Sequence, residues 1–142
     1  MLGHFITSFT SIIRSNPHTH AHTHTHSYAF KEEFPLLVVV PSSLKFNWAD
    51  ELERWLQEFV EVDSVNVVRS TTDLERLHEA PISIVSYGCL VGRNMQCSPV
   101  GQRLREIKPK VVIVDESHNM KSPKAKRTQI LMPLIRSSRR AF

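Results

Sequence analysis

Val111, Val112, Ile113 and Val114 form a run of four β-branched residues that leads directly into Asp115, Glu116, Ser117 and His118. Such a run suits a buried strand, and it delivers two adjacent carboxylates to the strand's exit. One acid placed there can help hold Mg²⁺, and the next can polarise a water that attacks a phosphate. The same pattern also describes an ordinary sheet exit, with the acids solvated or capping the next helix.

The elements around that string decide which chemistry it can do. Residues 35–56 read PLLVVVPSSLKFNWADELERWL: an apolar run, a Pro-Ser-Ser corner and a helix. Leu36–Val40 is too continuously apolar for a half-exposed strand and suits a parallel strand covered on both faces. Trp48, Leu52, Trp55, Leu56 and Phe59 then recur at helical spacing over residues 47–59. Asp50, Glu51 and Glu53 fall near that helix start, where the macrodipole favours acids. The two tryptophans at this period read as core packing rather than a base-stacking platform.

Further along, residues 65–68 predict a short strand, and residues 72–78 a short helix opened by a Thr72-x-x-Glu75 capping box. Ile82–Ser86 reads as a strand, residues 102–107 as a helical turn, and Val111–Val114 as the strand feeding the acids. A helix is expected over 122–135, with Pro123 in its first turn and Pro133 ending or kinking it. Residues 139–142 begin another strand. This alternation predicts an α/β fold with a parallel sheet.

The chain has 142 residues, with 18 Lys and Arg against 14 Asp and Glu. That length allows one domain with a modest core. The positive surplus is concentrated in Lys121, Lys124, Lys126, Arg127, Arg136, Arg139 and Arg140, a stretch with no acid. A one-sign stretch beside the carboxylates suits a phosphate backbone, and equally a solvated helix face. Cys89 and Cys97 lack metal-ligand or redox spacing, so free thiols in a reducing compartment are expected. No apolar run approaches the ~20 residues of a membrane span.

Residues 1–30 contain no acid, and His18, His20, His22, His24 and His26 alternate through HTHAHTHTH. Alternating imidazoles can hold Zn²⁺, Cu²⁺ or Ni²⁺ loosely, but no acid or Cys completes a fixed site, and a disordered tail is expected. A CA dinucleotide repeat read in one frame encodes the same His-Thr alternation. A secretory signal is not expected, because Arg14 follows the apolar part.

Taken together, three segments resemble the first RecA-like lobe of the SWI/SNF-type helicase ATPases, and most closely their annealing-helicase branch. PLLVVVPSSLKFNWADELERWL resembles motif Ia and its helix, ISIVSYGCL (82–90) the strand-and-turn motif that follows, and VVIVDESHNMKSPKAKRTQ (111–129) motif II with a basic helix. The resemblance spans residues 31–142 and implies an incomplete RecA-like parallel sheet with flanking helices. It implies ATP and Mg²⁺ as cofactors, with Asp115 on the metal, Glu116 activating water and His118 relaying nucleotide state. It implies that Pro41, Ser42, Ser43, Ser86, Tyr87 and Lys121 lie near a DNA backbone. Duplex, forked or branched DNA is the implied partner, with replication or chromatin proteins met through other modules, in the nucleus.

Two departures qualify the resemblance. The family carries a GxxxxGK[ST] phosphate loop shortly before motif Ia; here that position holds the His-Thr tract and SYAFKEE. None of Gly3, Gly88, Gly92 and Gly101 precedes a Lys. Motif III and a second lobe with arginine fingers would lie beyond RRAF. This polypeptide is therefore expected not to hydrolyse ATP and to expose an unpaired Val111–Val114 edge, with poor solubility. Two other readings stay open: a non-catalytic DNA-binding or interaction protein, and a DExH RNA helicase fragment.

Overall fold

In the computed structural model, residues 33–56 and 63–142 are described. Among these residues, five strands form one sheet: β1 (Leu36–Val40), β2 (Val65–Val67), β3 (Ile82–Ser86), β4 (Val111–Val114) and β5 (Arg140–Ala141). The order is β2-β3-β1-β4-β5, and every pairing is parallel. The helices are α1 (Lys45–Leu56), α2 (Arg76–Glu79), α3 (Tyr87–Leu90), α4 (Pro99–Ile107) and α5 (Lys126–Ser137).

Side chains alternate across a strand, so a strand covered on both faces must be apolar at every position. β1 is buried at all five residues and lies between β3 and β4. Leu36, Val38 and Val40 pack with Trp48, Leu52 and Leu56 of α1 on one face. Leu37 and Val39 pack on the other with Leu90, Leu104, Ile130, Leu131 and Leu134. The result is a three-layer α/β sandwich, as the alternation of elements predicts.

Several local expectations are corrected. A 3₁₀ turn, Ser42–Leu44, precedes α1, which begins at Lys45 and has no acid in its first turn. Asp50, Glu51 and Glu53 therefore lie deeper in the helix than the macrodipole argument requires; Phe59 lies outside the described residues, as does the expected tail. Of the tryptophan pair, Trp48 is 2% exposed but Trp55 is 42% exposed, its indole donating to Glu51. The capping box sits two residues earlier than expected, at Ser70 and Asp73, around a 3₁₀ turn over Thr71–Asp73.

The helical turn at 102–107 is a nine-residue helix, capped by Ser98 with Pro99 in its first turn. Gly101 masks that helix in the sequence, because glycine disfavours helix interiors. Pro123 precedes α5 rather than opening it, and α5 continues through Pro133 to Ser137. Pro133 and Gln129 both face solvent, so water can take up the Gln129 carbonyl that a proline nitrogen cannot serve.

The expectation of an unpaired β4 also fails. β4 is flanked by β1 and β5, with Val111 and Val112 in register with Arg140 and Ala141. The Val114 N–H donates to the Phe142 carbonyl at 2.9 Å, so the pairing runs to the strand's end. Among the described residues the sheet edges are β2 and β5, both short.

Candidate functional site at the carboxyl edge of the sheet

The register of β1 brings the separate motifs to one place. Val40 pairs with Ser86 and Val39 with Val114, so Pro41, Tyr87 and Asp115 all emerge at the carboxyl ends of three adjacent strands. In open parallel sheets this edge is where ligands bind. Ser42 and Ser43 are exposed on the 3₁₀ turn above β1, with no side-chain hydrogen bond capping it. Capping, the alternative role for these hydroxyls, is not how this turn is built.

Asp115 extends the ladder by one residue, its N–H donating to the Val39 carbonyl at 2.9 Å. Glu116 then adopts a left-handed conformation, φ 54°, which breaks the strand and starts a 3₁₀ turn over Ser117–Met120. Asn119 braces that bend, its backbone and side-chain amides both donating to the Glu116 carbonyl. The bend leaves the Glu116 carboxylate in solvent, 3.0 Å from Nδ1 of His118, which is also exposed. Lys121 follows, exposed, its N–H bonded to the His118 carbonyl.

The two acids sit in different surroundings. Asp115 is half-buried, and its carboxylate accepts two hydrogen bonds: the Glu116 N–H reaches Oδ1 at 2.9 Å and the Trp48 indole reaches Oδ2 at 2.9 Å. Glu116 has its solvent-facing carboxylate beside an imidazole. An acid held at both oxygens suits a ligand role and one that faces solvent suits work on water.

Ser86 and Tyr87 are buried. The Ser86 hydroxyl lies 3.1 Å from the Cys89 thiol, and the Tyr87 phenol donates to the Asp115 carbonyl at 2.6 Å. Burial pushes the Tyr87 phenol up to about 12, with the Asp115 charge adding to the effect. Sequence reasoning missed the roles of Trp48 and Tyr87 in holding Asp115. The available signal was that buried Trp and Tyr need a partner for their polar ends.

Among the described residues, no group of three or more His, Cys, Asp or Glu gathers to hold a metal. A lone carboxylate is nonetheless the donor set that Mg²⁺ uses when phosphates and water fill the rest of its octahedron. The basic stretch divides between two ends of the fold. Lys121, Lys124 and Arg127, which follow the Glu116 bend in sequence, are exposed. Arg139 and Arg140 lie beside the start of β4, 3.8 and 3.5 Å from the buried Glu33 carboxylate. No helix among the described residues is long and apolar enough to cross a membrane.

Comparison with known proteins agrees with this geometry. The SNF2-related domain family matches residues 2–141. Over 113 residues, 80% of the chain, it is 41% identical to human DNA annealing helicase and endonuclease ZRANB3, and 43% identical to the mouse protein. Over a similar span it is 37% identical to the Xenopus tropicalis SWI/SNF-related matrix-associated actin-dependent regulator of chromatin subfamily A-like protein 1. The matched part is about a tenth of these relatives' length: 10% of the first two and 11% of the third.

Proposed function

The chain belongs to the SNF2-related domain family, and on that premise we propose that it forms part of the first RecA-like lobe of an ATP-dependent DNA annealing helicase, a SWI/SNF-type translocase. Its setting would be replication-fork remodelling and DNA repair in the nucleus, on duplex, forked or branched DNA. Replication or chromatin proteins would be met through other modules.

The observation that carries this reading is the convergence of Asp115, Glu116 and the Ser42–Ser43 turn on one sheet edge. Asp115 would hold Mg²⁺ together with nucleotide phosphates, and the ion would supply charge neutralisation at the transferring phosphoryl group. Glu116 would orient and deprotonate the attacking water, and His118, hydrogen-bonded to it, would carry nucleotide state toward the DNA-facing residues. Pro41, Ser42, Ser43 and Lys121 would meet the phosphate backbone directly. Ser86 and Tyr87 have internal partners and would contribute by shaping the edge. Phosphate contacts of this kind position the duplex without reading sequence.

Without a GxxxxGK[ST] segment in its sequence, this chain offers no cradle for the β- and γ-phosphates, so DNA binding without ATP turnover is the expected behaviour. The test is fluorescence anisotropy with a forked DNA duplex and a matched RNA duplex over a range of salt, alongside a phosphate-release assay. Preference for DNA, affinity falling steeply with salt, and no phosphate release are expected. Preference for RNA would favour the RNA-helicase reading. ATP turnover abolished by Glu116→Gln would overturn the inactivity.

A further inference from the structure

We propose that Trp48 is a positioning residue for Asp115, holding the carboxylate in the orientation in which it meets a divalent cation; the inference rests on the metal-binding reading of Asp115 above. A carboxylate at a strand exit can rotate about two side-chain bonds, and a ligand that rotates binds poorly. Asp115 is held at both oxygens. The Glu116 N–H occupies one lone pair of Oδ1, and the Trp48 indole N–H one lone pair of Oδ2. Each oxygen keeps a second lone pair, so the group is fixed in plane without losing its capacity for a cation.

The donor is itself immobile. Trp48 is 2% exposed, packed by its ring among the residues that join α1 to β1. It reaches Asp115 across 67 positions of sequence. Because α1 follows directly on the Ser42–Leu44 turn, the same side chain ties that exposed turn to the acid. A purely structural role would be indifferent to the cation: Asp115 would satisfy a buried indole and nothing more. The two accounts differ in what metal binding does when the indole N–H is removed.

The experiment uses the full chain carrying Trp55→Phe, which leaves Trp48 as the one remaining tryptophan. With ¹⁵N-labelled indole, the Trp48 Nε1–H resonance should be strongly deshielded and slow to exchange, and should move upfield in Asp115→Ala. Mn²⁺, followed by water-proton relaxation, is the probe for the site. Trp48→Phe keeps a ring in the core and should weaken Mn²⁺ binding about 10-fold or more, in the range found for groups that orient metal ligands. Near-ultraviolet circular dichroism checks that the fold is retained.

A folded Trp48→Phe chain with unchanged Mn²⁺ affinity overturns the proposal if Asp115→Ala has lost the ion. If neither wild type nor Asp115→Ala binds Mn²⁺, the metal reading of Asp115 fails, and the positioning role with it. Should Trp48→Phe not fold, an indole resonance unmoved by Asp115→Ala overturns the proposal by itself.

Discussion

Tyr87 sits beneath the exit of β4 and donates its phenol to the backbone carbonyl of Asp115, 2.6 Å away. β4 ends at Val114, so this carbonyl lies just past the end of the strand. A side chain from the end of β3, two strands away across β1, supplies a donor, and the acid's main chain is held while Trp48 holds its carboxylate.

The phenol should therefore titrate late. In a Tyr28→Phe chain, the absorbance step of Tyr87 phenolate at 295 nm should have its midpoint near the value of about 12 to which burial raises it, against 10.0 for an unperturbed tyrosine. A folded-state value above the unfolded one means stability is complete below pH 10.0 and falls as pH rises toward about 12. Tyr87→Phe should remove that alkaline loss and cost about 1 kcal/mol at neutral pH.

Gly101 brings the backbone of α4 close to its surroundings. A Cβ there would stand 2.8 Å from the Cys97 sulfur, 3.1 Å from the Leu90 carbonyl and 3.3 Å from a methyl of Ile130. The backbone carbonyl cannot retreat as a side-chain tip can. Overpacking costs about 1–3 kcal/mol and the gain in helix propensity returns about 1. Gly101→Ala should therefore lower the thermal midpoint, and Cys97→Ala should recover part of the loss.

The loop between α3 and α4 stores strain at its tip. Val91 and Cys97 pair as an antiparallel bridge, and the Gln96 N–H donates to the Arg93 carbonyl across Asn94 and Met95. Both of those residues have φ of 57°, the geometry of a type I′ turn. Asparagine tolerates it; methionine does so at a cost of about 1 kcal/mol. Met95 is 66% exposed, so little packing is lost on removing it. Met95→Gly should raise the thermal midpoint by about 2–4 °C.

At the Ser70 turn, the Asp73 carboxylate accepts the N–H groups of Arg69 and Ser70. The Arg69 bond is the largest cause holding its pKa below the ordinary 3.8. A depressed carboxylate contributes stability that is complete above 3.8 and is lost as pH falls through the folded value. Denaturant titrations should show Asp73→Asn less stable than wild type at pH 7, with the gap closing as pH falls below 3.8.

The strands and the acid pair were legible because their signals are local. Leu36–Val40 and Val111–Val114 are apolar at every position, which only strands covered on both faces require. The register that places Ser86 beside Val40 is not local, and neither is the contact from Trp48 to Asp115. Trp48 and Trp55 share the helical period, yet only one faces the sheet, because the burial arc of α1 is narrower than the spacing alone suggests. The edge of β4 was misjudged because Arg140 and Ala141 pair by backbone hydrogen bonds, to which side-chain pattern is blind.

The central place of β1 has a consequence for synthesis. Its two partners, β3 and β4, both follow it in the chain, the nearer pairing beginning at Ile82 and the other at Val111. A nascent chain emerging from the ribosome thus presents Leu-Leu-Val-Val-Val before either flank exists to shield it. Non-local parallel pairing is slow, because loops must close before contacts form. The interval between translation of Val40 and of Val114 is the window in which chaperones have most to hold, and a pause placed there would lengthen it.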